Sequence, residues 1–319
     1  MRLDCNQARP ILLKMVTTAL IQSLEFVLNG DTAMSTTFDR TTQDFGNVVC
    51  MEHVNLLVAD QSVAHLFYVT GMGFTRDPYI DFGMRNMWIN LGKQQFHLPV
   101  GEPQVLRGVT GVVVPSFDEL RTRLEQVAPL LEGTQFSWRE ENAHLVVNCP
   151  WGNTLEVFEP GEEFGRMTLG MPYVRFDVPQ GTAAGISRFY QEILDAPSQV
   201  VEGNEAPTAK IQIGREQTLQ YRETNGAQAK YDGHHIAVYI ADFSGVHQRL
   251  LERDLVTEES DPGQYRFLHI TDLDSGKSLF EIEHEVRSMY HPMYGRNLVN
   301  RNAPMNNRNY VHGQEMYRG

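Results

Sequence analysis

The sequence predicts an α+β protein assembled from four copies of one βαβββ unit. First, a strand-like run, a helical run and three short strand candidates recur in that order four times between residues 49 and 285. Second, the residue opening each first strand and the one central to each last strand keep nearly the same separation. It is 44 residues for His53 to His97, 47 for Val109 to Glu156, 47 for Tyr173 to Gln220 and 46 for His235 to Glu281. Third, CPWGNTLEVFEP at 149–160 reads as a tight Pro-x-Gly-Asn turn that sets the register of a strand carrying one carboxylate, Glu156.

The elements follow in order. Residues 1–48 form an N-terminal extension whose apolar segment at 10–30 is interrupted by Lys14 and Glu25. It is too broken for a membrane helix and lacks a secretory cleavage pattern. It reads as an amphipathic helix or a dispensable extension, with Met34 as an alternative start. Repeat 1 opens at CMEHVNLLVAD, continues through the helical SVAHLFYVTGMGF and ends on QQFHLPV. Repeat 2 runs from GVTGVVVPS through DELRTRLEQVAPLLEG to TLEVFEP, closing a domain at 49–160. The stretch GEEFGRMTLG at 161–170 is a linker. Repeat 3 begins at PYVRFDVP, with AAGISRFYQEILDA as its helix, and repeat 4 at HHIAVYIAD, with FSGVHQRLLERD. These two make a second domain at 171–285, and a tail rich in Asn, Arg, Met and Tyr follows at 286–319.

Composition bounds the function. A chain of 319 residues with 41% hydrophobic content is long enough for two ordinary domains. The net charge of −13 argues against nucleic acid as a partner, and nothing in the chain points to a membrane. Three cysteines, Cys5, Cys50 and Cys149, form no CxxC, which suits buried thiols in a reducing, cytoplasmic compartment. There is no Gly-rich phosphate loop, no GxSxG and no HExxH, so nucleotide-dependent and serine-hydrolase chemistry have no support.

The ordered set HVNLLVAD, FYVTGMGF, PWGNTLEVFEP, FYQEILDA and HHIAVYIAD resembles the vicinal oxygen chelate superfamily of glyoxalases, bleomycin-resistance proteins and extradiol dioxygenases. The resemblance covers about residues 49 to 285. It implies paired βαβββ modules forming two cupped mixed sheets in two tandem domains. It also implies metal ligands on the first and last strands of paired modules. In the first pair those positions are His53, His97, Val109 and Glu156; in the second they are Tyr173, Gln220, His235 and Glu281.

Two imidazoles and a carboxylate suit Fe(II) with open positions, and the same set could hold Zn(II) with a water. The leading expectation is therefore a divalent metal, with Fe(II) favoured over Zn, Mn or Ni, at His53, His97 and Glu156, Val109 leaving the fourth place empty. A second candidate site is Gln220, His235 and Glu281. His269 is a candidate proton donor beside Glu156 as the catalytic carboxylate. Trp88, Trp138 and Trp151 are candidate pocket walls, and Arg85, Arg107 and Arg175 candidate carboxylate binders. His284, Tyr290 and His291 are placed to close over the second cup. The expected function is a metal-dependent enzyme chelating vicinal oxygens of a small organic substrate, with dioxygenase-like chemistry ahead of a glyoxalase-type lyase or isomerase. A binding protein of the bleomycin-resistance type is the competing class. Either a monomer or a homodimer is compatible with four modules in one chain.

Overall fold

Sixteen strands among the described residues form two mixed eight-stranded sheets. The computed structural model describes residues 39–80, 85–202, 206–306, 308–311 and 313–316. The apolar segment at 10–30 and the alternative start at Met34 lie outside them. Residues 1–44 and 45–319 separate into two units. In the first, Arg40–Gln43 makes a 3-10 turn whose Asp39 carboxylate accepts the Thr41 N–H. Everything below belongs to the second.

Each repeat is the predicted βαβββ unit. Repeat 1 holds β1 (Val48–Asn55), α1 (Gln61–Ala64, continuing as π-helical His65–Gly71), β2 (Thr75–Arg76), β3 (Asn86–Leu91) and β4 (Gln94–Pro99). Repeat 2 holds β5 (Gly108–Val113), α2 (Phe117–Val127), β6 (Ser137–Glu141), β7 (His144–Asn148) and β8 (Thr154–Phe158). Repeat 3 holds β9 (Tyr173–Pro179), α3 (Ala183–Leu194), β10 (Ser198–Val201), β11 (Thr208–Gln212) and β12 (Thr218–Thr224). Repeat 4 holds β13 (His235–Ile240), α4 (Phe243–Leu251), β14 (Val256–Asp261), β15 (Gln264–Thr271) and β16 (Ser278–Ser288).

Local chemistry explains the element ends. Ser116 caps α2 by accepting the Glu119 N–H, and Asp242 caps α4 by accepting the Gly245 N–H. Helix α3 buries Ile186, Phe189, Tyr190, Ile193 and Leu194, one stripe at helical spacing. It stops at Asp195, which takes the left-handed conformation that ends helices. The turn at 149–153 forms as its residues predict. Gly152 sits at φ 96°, its N–H donates to the Cys149 carbonyl, and the Asn153 side chain accepts the Leu106 N–H.

The assembly of the repeats departs from their order in the chain. In every repeat the last strand pairs in parallel with the first. Between repeats, β1 pairs antiparallel with β13, and β5 with β9. One sheet therefore runs β14-β15-β16-β13-β1-β4-β3-β2, joining repeats 1 and 4; the other runs β10-β11-β12-β9-β5-β8-β7-β6, joining repeats 2 and 3. Pairing neighbours into 49–160 and 171–285 does not describe either sheet. Every first strand offers an equivalent apolar edge, so repeat spacing alone does not say which two meet.

A continuous apolar cluster ties the sheets together. Helix α3 of repeat 3 also packs on β15 and β16 of repeat 4, where the Phe189 and Phe267 rings lie 6.0 Å apart. Buried aromatics of this kind contribute about 2–3 kcal/mol each relative to exposure. In the same layer the Tyr190 hydroxyl lies 2.5 Å from both the Tyr221 hydroxyl and His284 Nε2. His284 is thus a hydrogen-bonded core residue rather than part of a closing tail.

Candidate metal centre

The concave face of the repeat 1–repeat 4 sheet gathers polar side chains that a sheet centre would ordinarily exclude. On β1, Met51 pairs with Val238 and His53 with Ala237, so Glu52 is the extra residue of a bulge. The bulge turns Glu52 toward the face His53 already occupies. Asn55, two residues past His53, pairs with His97 of β4, and Ala237, two past His235, pairs with Glu285 of β16. His53 with His97 and His235 with Glu285 are therefore equivalent positions in two repeats facing each other across the β1–β13 seam.

Three imidazoles converge there. One nitrogen each from His53, His97 and His235 falls within a set spanning no more than 4.8 Å. The His53 ring lies 5.5 Å from that of His97 and 5.7 Å from that of His235. Each Nε2 is buried and lacks a hydrogen-bond partner. His235 Nε2 does lie 3.4 Å from Glu285 Oε2, without hydrogen-bond geometry. Three orphaned imidazole nitrogens buried in one cluster are costly unless something there accepts their lone pairs. A divalent cation does so, and the donor set fits it.

The surrounding groups orient these donors. Glu52 Oε2 lies 3.0 Å from His53 Nδ1. A carboxylate only accepts, so Nδ1 carries the proton and Nε2 presents its lone pair. Glu52 is held in turn by the Tyr239 hydroxyl at 2.8 Å and by Arg287. His235 Nδ1 lies 3.4 Å from Glu283 Oε1, and the Trp88 ring stacks on His97 at 4.0 Å. Arg266 donates to Glu285 at 2.6 Å and also to Glu283, while Arg287 pairs with the other Glu285 oxygen.

Electrostatics favour the ligating protonation states. Burial lowers the His53 pKa, and burial with the neighbouring His53 and His235 takes His97 down to about 2. Burial alone would raise Glu285; its contact with His235 and the guanidinium charges of Arg287 and Arg266 instead hold it well below the usual carboxylate range. The site thus presents the imidazoles of His53 and His97 in their neutral form beside an ionised carboxylate.

The structure places the sequence candidates as follows. His53 and His97 come together, and His235 joins them from what was expected to be a separate site. Glu156 is on β8 of the other sheet, where it takes 2.5 Å from Arg175 and a hydrogen bond from Tyr173. Val109, Tyr173 and Gln220 belong to that same sheet. A Cβ on Gly111, the partner of Glu156, would come within 2.5 Å of the Tyr173 ring, so tyrosine and guanidinium already fill the second cup. Gln220 donates to Thr218 at 3.2 Å.

Glu281 pairs with His269 beyond the end of β13, two positions short of Glu283, which His235 faces. The His269 Nδ1 to Glu281 Oε1 distance is 3.8 Å, and both side chains are more than a third exposed. Neither reaches the three-histidine cluster. The carboxylate equivalent to His97 is Glu285, four residues later. In EIEHE, Glu281, Glu283 and Glu285 alternate onto one face, and spacing alone could not choose among them.

The remaining candidates are dispersed. Arg175 is committed to Glu156; Arg107 donates to the Glu281 carbonyl and lies 4.2 Å over Phe280. Arg85 is exposed, and Trp138 and Trp151 pack against the core. Tyr290 is 98% exposed, whereas His291 lies 6.2 Å from Tyr239. Glu52, Arg266 and Arg287 had no sequence signal beyond being charges within strands.

Comparison with family models and with curated protein sequences finds no match. Solved structures do match. Glyoxalase I from Zea mays superposes with a TM-score of 0.55 over 79% of this chain and 95% of its own, at 12% identity. A Bacillus subtilis protein named "putative dioxygenase" gives a TM-score of 0.52 over 82% of this chain and 89% of its own, at 17% identity. The chain has the glyoxalase-like fold that these structures share. At these identities the likeness is one of fold, and chemistry has to be argued from the site. Within this fold as the chain builds it, the polar cup is the one shared by repeats 1 and 4.

Proposed function

We propose that the protein is a metal-dependent enzyme that chelates vicinal oxygens of a small organic substrate at the repeat 1–repeat 4 cup. The observation that carries this is the set of three buried, unpartnered imidazole nitrogens of His53, His97 and His235 gathered across the β1–β13 seam. A pure binding cup has no need of them. A divalent cation held there supplies Lewis acidity and, as Fe(II), a means of activating O2.

The chain's own residues do the rest. Glu52 fixes the His53 tautomer, Trp88 holds the His97 ring by stacking, and Arg266 and Arg287 keep the Glu285 carboxylate charged and stationary. Because Glu285 is tied to two guanidinium groups, the three histidines form the free donor set. That leaves more coordination positions for a bidentate substrate and O2, which favours dioxygenase-type chemistry. The alternative is a glyoxalase-type lyase or isomerase, supported by Glu285 occupying the fourth equivalent position beside His235, where a carboxylate could move a proton.

Oxygen uptake by the Fe(II)-loaded protein against a panel of catechols, set beside turnover of methylglyoxal with glutathione, separates the two. Consumption of O2 with catechols alone supports the first reading. Turnover of the thiohemiacetal alone replaces it with the second, and loss of neither substrate removes both.

A further inference from the structure

A cavity of about 790 Å³ lies against the same cup, within the size range of small-molecule sites. Its inner wall includes Cys50, Glu52, Gln95 and Tyr239. Cys50 pairs with Tyr239 on the sheet, and the following pair on that face is His53 with Ala237. Gln95 is the register partner of His53 on β4. The cavity floor is therefore the row of side chains next to the histidines. Its outer wall is the segment from Met293 to Val299, which Arg296 anchors through 2.5 Å to the buried Asp77.

The charge around this cavity opposes that of the whole chain. Lys93, Arg166 and Arg215 line it and are exposed. Lys93 and Arg166 make no ion pair among the described residues, and Arg215, 68% exposed, reaches only Glu216 at 3.9 Å. The other charges in the wall are already matched: Glu52 by Arg287 and the His53 N–H, and Arg296 by Asp77. Three cations stand against the single carboxylate of Glu216, in a chain of net charge −13. A concave low-dielectric wall concentrates the field of such groups and raises the local concentration of the opposite charge.

We propose that this cavity selects substrates bearing a carboxylate, which Lys93, Arg166 and Arg215 hold at the mouth while the chelating end points to the histidines. The proposal deepens the reading given above and rests on it for the position of the reacting end. The anion-binding part stands by itself and is testable without metal. The probes are 3,4-dihydroxybenzoate and catechol, which differ only in the carboxylate.

Their affinities for the metal-depleted full-length protein are measured by calorimetry at low and at physiological salt. The acid is expected to bind about tenfold more tightly at low salt, the advantage shrinking as salt rises. The triple variant Lys93→Gln, Arg166→Gln, Arg215→Gln abolishes that advantage and leaves catechol affinity unchanged. A control that removes as much charge elsewhere, Arg139→Gln, Arg253→Gln, Lys277→Gln, retains it. All six side chains are exposed, so both variants keep the fold, which thermal melting checks. Equal binding of acid and diol, no binding of the acid, or an advantage that survives the first variant or is lost in the control would overturn the proposal. Metal uptake is read separately, on portions of the same protein reconstituted with Fe(II) or Zn(II): preference for the acid without metal uptake keeps the anion site and removes the metal centre.

Discussion

His53 carries the most constraint of any residue at the site. Its Nδ1 is committed to Glu52, its ring is wedged between Trp88 and two other imidazoles, and its Nε2 has no partner of its own. Replacing Glu52 with Gln keeps the shape but allows the other tautomer and removes the charge that strengthens the imidazole as a donor. Metal affinity should fall about 10–100-fold, measured by competition with a chromophoric chelator, with the fold retained. Glu156 makes the opposite case. Its oxygens are taken by Arg175 and Tyr173, so Glu156→Gln should leave metal affinity unchanged in the same assay. The proximity of the repeat 1 histidines was legible from the sequence because the repeat spacing puts them on the paired first and last strands of one unit. Glu52 was not, because a bulge that turns a neighbouring side chain onto the same face leaves no periodic trace.

At the scale of elements, the two cups have diverged by what fills them. Where repeat 1 has Asn55, repeat 2 has Gly111, and the Tyr173 ring takes the space a side chain would need. Gly111→Ala should therefore lower stability by about 1–3 kcal/mol through overpacking, seen as a lower denaturant midpoint, with metal uptake intact. The succession of strands and helix within each repeat followed from sequence because alternation and helical stripes are local. The fourth carboxylate did not. Strand β16 is long, and its acids at 281, 283 and 285 satisfy the same alternation, so only the pairing with β13 selects Glu285.

At the scale of the molecule, the pairing of repeat 1 with repeat 4 makes the two ends of the repeated region interdependent. A fragment spanning 45–160 would keep β1 and β5 but lose β13 and β9, leaving two unpaired apolar edges. It should fail to give a monomeric folded species by circular dichroism and size exclusion, whereas independent tandem halves would fold. No described helix is long and apolar enough to cross a membrane. The repeat count and unit plan were readable from spacing; the pairing of β1 with β13 depends on contacts 180 or more residues apart, which spacing does not encode.

The central claim is that one metal centre is shared by repeats 1 and 4, and metal content tests it most directly. Protein purified without chelator, or reconstituted with Fe(II) or Zn(II), is compared with His235→Ala and Glu156→Ala by elemental analysis. The account predicts about one equivalent in the parent and in Glu156→Ala, and essentially none in His235→Ala. Metal retained by His235→Ala but lost from Glu156→Ala would contradict it, placing the centre between repeats 1 and 2 instead.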